Sequence, residues 1–273
     1  MSRFLLLASL CVAGCGHAAA ARPDTAIRIV ATDRGFEAPQ RMSAGLRRIV
    51  FENRGASVHE AMLVKLPRGM DADRYARAVK AGELFPAGAL DYSGPGLTAP
   101  GESVEVWVHV DAGDYVLTCW NGDHPSTVPM HRFQVVDDGI VDAVPPKEDA
   151  LLKMIDFRFE FDGVLHAGSR VIRVETPGPS MHEVDIFHLR GNAAVADLNR
   201  WRKREDAGDP PQGTPPADAM GGLLDSHRIG HTSWLRRTFA PGRYVFFCEM
   251  PMEGAEGVSH ADVGMAKEFE VAP

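Results

Sequence analysis

Ser57-Val58-His59-Glu60 returns as Ser180-Met181-His182-Glu183, and each copy is followed by one lone cysteine, Cys119 and Cys248. The frame around the two histidines is kept without a gap. Asp33 and Asp156 both lie 26 residues upstream, Phe36 and Phe159 both lie 23 upstream, and Ala44-Gly45 matches Ala167-Gly168. The cysteines close matching runs, Gly113-Asp114-Tyr115-Val116-Leu117-Thr118-Cys119 and Gly242-Arg243-Tyr244-Val245-Phe246-Phe247-Cys248. A duplicated unit carrying one early histidine and one late cysteine points to a metal site.

Working outward, both copies read as β-rich. The first holds strand-like runs at Ile27-Ala31, Arg47-Glu52, Ala61-Leu66, Ser103-Val110 and Tyr115-Trp120, bounded by Gly, Pro or Asp. The second repeats the order at Met154-Phe161, Arg170-Glu175, Val184-Leu189, Ser233-Phe239, Tyr244-Cys248 and Ala266-Val271. Short strands at this spacing predict an all-β chain of two sandwich or barrel units. A helical insertion follows each histidine strand: Tyr75, Ala78 and Val79 at helix spacing within Asp71-Gly82, then Val195, Leu198 and Trp201 within Ala193-Asp206. Arg200-Arg204 reads as a solvated helix face. The organisation expected is a signal segment over 1–21, a first unit over 22–138, a linker over 139–150 and a second unit over 151–273.

The 45% hydrophobic content of the 273 residues supports real cores, and the net charge of −8 argues against nucleic-acid binding. At the N-terminus, Arg3 precedes a short apolar run and small residues, the pattern of an export signal. Two readings of its end are open. Val12-Ala13-Gly14-Cys15 resembles a bacterial lipobox, in which Cys15 would be lipidated and hold the protein at a membrane; the other is ordinary cleavage near Ala20. Both place the mature chain outside the cytoplasm. There cysteines normally pair, so a Cys119–Cys248 disulfide joining the units stands beside the metal reading.

The second unit offers His182, Cys248, His260 and Met265. One thiolate, two imidazoles and a weak axial thioether form a set that suits blue copper, since thiolate and imidazole hold both oxidation states and the thioether favours Cu(I). The first unit offers His59, Cys119, His124 and Met130, with two alternatives for the last place, His131 as a competitor or an empty axial position. Glu60 and Glu183, next to the histidines on a strand, should point away and hydrogen-bond around the ligands. Met250 and Met252 stand near Cys248 as soft donors, and His227-x3-His231 forms a further histidine pair.

On the run Gly242–Cys248 leading to Ser259-His260-Ala261-Asp262-Val263-Gly264-Met265, the chain resembles the cupredoxin family, small Greek-key β-sandwiches with type 1 copper. The resemblance implies two tandem cupredoxin-like domains and one or two copper ions. It also implies electron exchange with a redox partner protein, or copper exchange with a donor or acceptor, near His124 or His260. The chain departs from the family in the eleven residues between Cys248 and His260, longer than most such loops, and in the His-x5-Met spacing of the first unit. Multicopper catalysis would need His-x-His pairs and a histidine directly before a cysteine. The sequence has no His-x-His pair, and Thr118 and Phe247 precede the cysteines, so the pattern points away from an enzyme. A metal-free accessory protein on the same fold is the other alternative.

Overall fold

The computed structural model describes residues 26–83, 86, 88–122, 124, 129–209, 212–225 and 232–273. Cys15 and the His227/His231 pair lie outside the described residues. The architecture is the all-β pair of sandwich units expected from the sequence, with two helical insertions. Among the described residues no helix is long and apolar enough to cross a membrane.

Each unit opens the same way. Ile27–Thr32 runs parallel to Gly45–Asn53, and Ala150–Ile155 runs parallel to Gly168–Glu175. The second sheet of each unit carries the cysteine strand at its centre: Gly113–Thr118 between Met62–Lys65 and His131–Val136, and Gly242–Phe247 between His182–Leu189 and Ala266–Ala272. Alternating burial along Ser103–Val110 and Thr232–Phe239 sends Val104, Val106, Leu235 and Phe239 into one apolar core with Ile49, Phe51, Ile172 and Tyr244. The tyrosine four residues before each cysteine locks its hairpin, Tyr115 Oη donating to Asp111 O at 2.9 Å and Tyr244 Oη to Ala240 O at 3.0 Å. This is the tyrosine-corner device of β-sandwiches.

The units do not sit side by side as separate sheets. Ser103–Val110 pairs antiparallel with Thr232–Phe239, so four strands from each unit make one eight-stranded sheet. Val106 and Leu235, each seven residues before the matched Gly113 and Gly242, face one another at the joint. A pseudo-two-fold axis therefore passes through that pair. The first unit also lends Gly94–Pro95 to the edge of the second unit's other sheet. Glycine makes this seam possible: a Cβ on Gly96 would lie 2.4 Å from Asp185 Oδ1 and 2.8 Å from Gly222 Cα. Between the units, 139–149 forms no regular element but is held along the sheet, with Ala143 N donating to Leu46 O at 3.0 Å and Leu46 N to Asp142 Oδ1 at 2.8 Å.

Two local expectations need correction. Met154–Phe161 is not one strand: it breaks into Ala150–Ile155 and Arg158–Asp162 around a two-residue turn at Asp156-Phe157. The Arg200–Arg204 stretch is not wholly solvated either. Arg200, Lys203 and Arg204 are exposed, but Arg202 is buried.

Helix α1 (Ala72–Lys80) is capped by Asp71, whose carboxylate accepts from Arg74 N, and it buries Tyr75 and Val79 against the first unit's second sheet. Helix α2 (Val195–Asp206) buries Leu198 against Phe187 and Phe247.

Candidate metal centre

The fold brings a histidine at or just before the start of one strand to the cysteine just past the end of its neighbour, twice. His59, Cys119 and His124 present donor atoms that all lie within 4.8 Å of one another, and so do His182, Cys248 and His260. In the first group Cys119 Sγ is 3.2 Å from His124 Nδ1, and the His59 and His124 rings stack at 4.6 Å between centroids. In the second, His182 Nδ1 and His260 Nδ1 are 3.1 Å apart, with Cys248 Sγ 3.5 Å from His260 Nδ1. Cys119 and Cys248 are free buried thiols in separate groups, not a disulfide.

Two aspartates, each 26 residues before its histidine in the sequence, orient the early histidines. Asp33 Oδ1 lies 3.2 Å from His59 Nε2, and Asp156 Oδ1 lies 3.3 Å from His182 Nε2. A carboxylate can only accept, so the hydrogen bond calls for the proton on Nε2 and leaves Nδ1 as the nitrogen through which a neutral imidazole would bind a cation. Among the described residues His59 Nδ1, which is buried, has no hydrogen-bond partner, a costly state for a polar atom unless a cation takes the lone pair. His182 Nδ1 faces its triad partner directly. Carboxylate–histidine pairs of this kind are the usual support of a metal ligand.

A glycine four residues before each histidine makes room for the pair. A Cβ on Gly55 would fall 2.7 Å from Asp33 Oδ1 and 2.8 Å from His59 Nε2, and one on Gly178 would fall 2.7 Å from Asp156 Oδ1. The repeated Gly-x3-His spacing was a signal available in the sequence.

Glu60 and Glu183 act as expected of residues that point away from the ligands. Glu60 Oε1 accepts from Trp120 N and Glu183 Oε1 from Glu249 N, both at 2.7 Å, so each clamps the backbone directly after its cysteine. Arg202 of α2 then ties the two groups together. It donates to both Glu249 oxygens at 2.6 and 2.7 Å and to Asn121 Oδ1 at 3.0 Å, two residues after Cys119. The insertion also reaches the His260 turn, where Asn199 Nδ2 and Lys203 Nζ each lie 2.8 Å from Asp262 Oδ1.

The methionines differ. Met265 is fully buried in the same apolar cluster as Cys248 and Met250, and its backbone N donates to His260 O at 2.9 Å. Met130 is half-buried and packs in the cluster around Tyr75 and Val79.

The protonation of the site follows from its burial. Burial pushes the Cys119 and Cys248 thiols up, and the neighbouring Glu60 and Glu183 charges add to it. Such thiols are poor nucleophiles in neutral solution, and a bound cation is what would draw them to the thiolate form. Burial, then the His182 charge, lowers His260 to about 4, and burial lowers His182 against the opposing pull of Asp156. Both imidazoles of the second group are thus neutral donors at physiological pH. Asp33 is held below the usual carboxylate range by hydrogen bonds from Ala56 N, His59 and Ser57 N. Burial works to raise Asp156, but the hydrogen bonds from His182 and Ser180 outweigh it and keep it low.

No protein-family model and no curated protein matches the chain. Among solved structures it is similar to a multicopper oxidase, at 16% identity over 90% of this chain and 88% of that one, with a TM-score of 0.27. It is also similar to auracyanin A, a "blue" copper protein from the green thermophilic photosynthetic bacterium Chloroflexus aurantiacus, at 24% identity over 41% of this chain and 98% of that one, with a TM-score of 0.30. A third is an azurin from Methylomonas sp. strain J, at 15% identity over 40% of this chain and 93% of that one, with a TM-score of 0.28. At TM-scores this low the likenesses carry no weight for the site, which rests on its donor geometry.

Proposed function

We propose that this chain is a copper-binding protein of the electron-transfer type, holding the ion in one or both of its His₂Cys groups. The observation that carries the reading is His59 Nδ1, buried beside Cys119 and His124 and without a hydrogen-bond partner among the described residues, with its other nitrogen fixed by Asp33. Soft thiolate with two imidazoles is a donor set that copper accepts in both oxidation states, and bound copper would supply a one-electron couple. The chain's residues do the rest. Asp33 and Asp156 hold each early histidine with Nδ1 inward, Glu60 and Glu183 fix the backbone after each cysteine, and the surrounding core excludes water. Met265 is the candidate axial donor of the second site, and Met130 or His131 of the first. His124, half-buried where His260 is buried, marks the side on which a redox partner protein or a copper donor would approach. Export, with Cys15 as a lipid anchor, belongs to the same proposal and is tested by cell fractionation of the wild type against Cys15→Ser.

The decisive experiment is to add Cu(II) to the purified protein, measure bound copper by elemental analysis and record the visible thiolate-to-copper absorption. Cys119→Ser and Cys248→Ser identify which group carries the band and the ion, and the double variant should lose all of both. Wild-type protein that stays colourless and retains no copper refutes the reading.

A further inference from the structure

The two groups differ at the late histidine, buried as His260 and half-buried as His124, and at the residue that follows the supporting aspartate. Asp33 matches Asp156, so Arg34 of the first unit stands where the second has Phe157. Arg34 is exposed, and the left-handed backbone of that turn falls on the next residue, Gly35, at φ +123°. In the second unit Phe157 itself takes φ +59°, and among the described residues it is the one non-glycine with positive φ. A second turn position of this kind normally belongs to Gly or Asn, which enter the left-handed region without a steric penalty. A phenylalanine held there is strained, and such outliers cluster where a side chain must be aimed.

The aim is visible. The Phe157 ring meets His260 edge-on at 5.0 Å between centroids and His182 at 6.2 Å, with interplanar angles of 82° and 87°. Phe157 is half-buried, with its ring set between solvent and the two imidazoles it meets at near-right angles. The early histidine and the cysteine are buried in both groups; His260, against the ring, is buried as well, whereas His124 of the first group is half-buried.

We propose that Phe157 is a shield over the second site, closing it to solvent-borne ligands and chelators, so that exchange with the surroundings runs through the first site. As a statement about metal exchange this rests on the reading of both groups as copper sites; as a statement about access to Cys248 it does not. The test has two arms on the full chain. In the metal-free protein, iodoacetamide labelling is followed cysteine by cysteine with mass spectrometry. Phe157→Gly, which removes the ring and suits the positive φ, should raise the labelling rate of Cys248 at least tenfold and leave that of Cys119 unchanged. Phe157→Tyr, which keeps a ring, should restore the wild-type rate. Equal Cys248 rates in wild type and Phe157→Gly overturn the proposal, and so does parallel acceleration of both cysteines, which marks general loosening. In the copper-loaded arm, EDTA should strip Cys119→Ser/Phe157→Gly at least tenfold faster than Cys119→Ser and leave Cys248→Ser/Phe157→Gly at the rate of Cys248→Ser. Equal stripping with and without the ring also overturns the shield. If no variant binds copper, the copper reading fails and the labelling arm still decides the shield.

Discussion

Replacing Arg202 by methionine removes the guanidinium that holds both units' cysteine ends and keeps a similar apolar stem. The Arg202 side chain is 7% exposed and that of Glu249 16%, and the pair is bidentate. Breaking a buried ion pair by deleting one partner costs about 3–5 kcal/mol, chiefly because the other charge is left stranded. Glu249 keeps some water and Glu205, a further acceptor from Arg202, is 30% exposed, which places the loss near the lower end, about 3 kcal/mol. For a chain of this size each kcal/mol shifts Tm by roughly 2–4 °C, so Arg202→Met should melt roughly 6–12 °C below wild type by scanning calorimetry. Glu249→Gln in the same background should recover part of the loss, because the stranded charge is gone. The double-mutant cycle should then show coupling well above the few tenths of a kcal/mol expected of independent sites. A shift under about 2 °C, or strictly additive single effects, would refute the view that this contact ties the units.

Asp33→Asn and Asp156→Asn should each weaken copper binding at their own site by about 10–100-fold, the usual cost of losing a carboxylate behind a ligating histidine, as read by competition with a chelator of known affinity. An unchanged affinity would mean that the imidazoles need no such support. The pH dependence of stability offers a separate check on Asp185. Burial, then the Glu249 and Glu60 charges, holds its carboxyl well above the usual range, against the pull of the hydrogen bond from Leu97 N. The folded state therefore keeps a proton that the unfolded state has released, and stability is lost as pH rises from about 4 through the folded value. Asp185→Asn does not titrate, so its Tm relative to wild type should climb between pH 5 and pH 9 in the metal-free protein. A flat difference would contradict the assignment.

The donors were legible in the sequence because the duplication kept their spacing while the residues around them changed. His59 pairs with His182 and Cys119 with Cys248 by simple register, and the alternation of Ser103–Val110 betrays a half-buried strand. What stayed hidden has physical causes. The turn at Asp156-Phe157 carries no glycine, so an apolar run such as Met154-Ile155 through Phe159 reads as unbroken strand. Arg202 sits among charged neighbours on a helix, and only tertiary placement of Glu249 and Asn121 makes it a buried residue. The strand Ala217–Asp225 escaped because Gly221-Gly222 breaks its pattern, yet Gly222 is there to let the backbone approach Val184 O, which a Cβ would meet at 2.3 Å. Partners across the joined sheet lie 127 to 131 positions apart in Trp107–Trp234 and Glu105–Arg236, beyond the reach of any local periodicity.

The Val106–Leu235 joint also limits how far this duplication can be extended. In either unit alone, Ser103–Val110 or Thr232–Phe239 would end a sheet with a full row of unsatisfied amides and carbonyls, an invitation to pair with any passing strand. Here each unit covers the middle of the other's open row about a shared axis, through Trp107–Trp234, Val106–Leu235 and Glu105–Arg236, as the protomers of a closed dimer do. What is left at the two outer ends are the short strands Gly35–Glu37 and Arg158–Asp162. The arrangement has a valence of one per unit, already spent, so a third copy would find no matching place in this sheet.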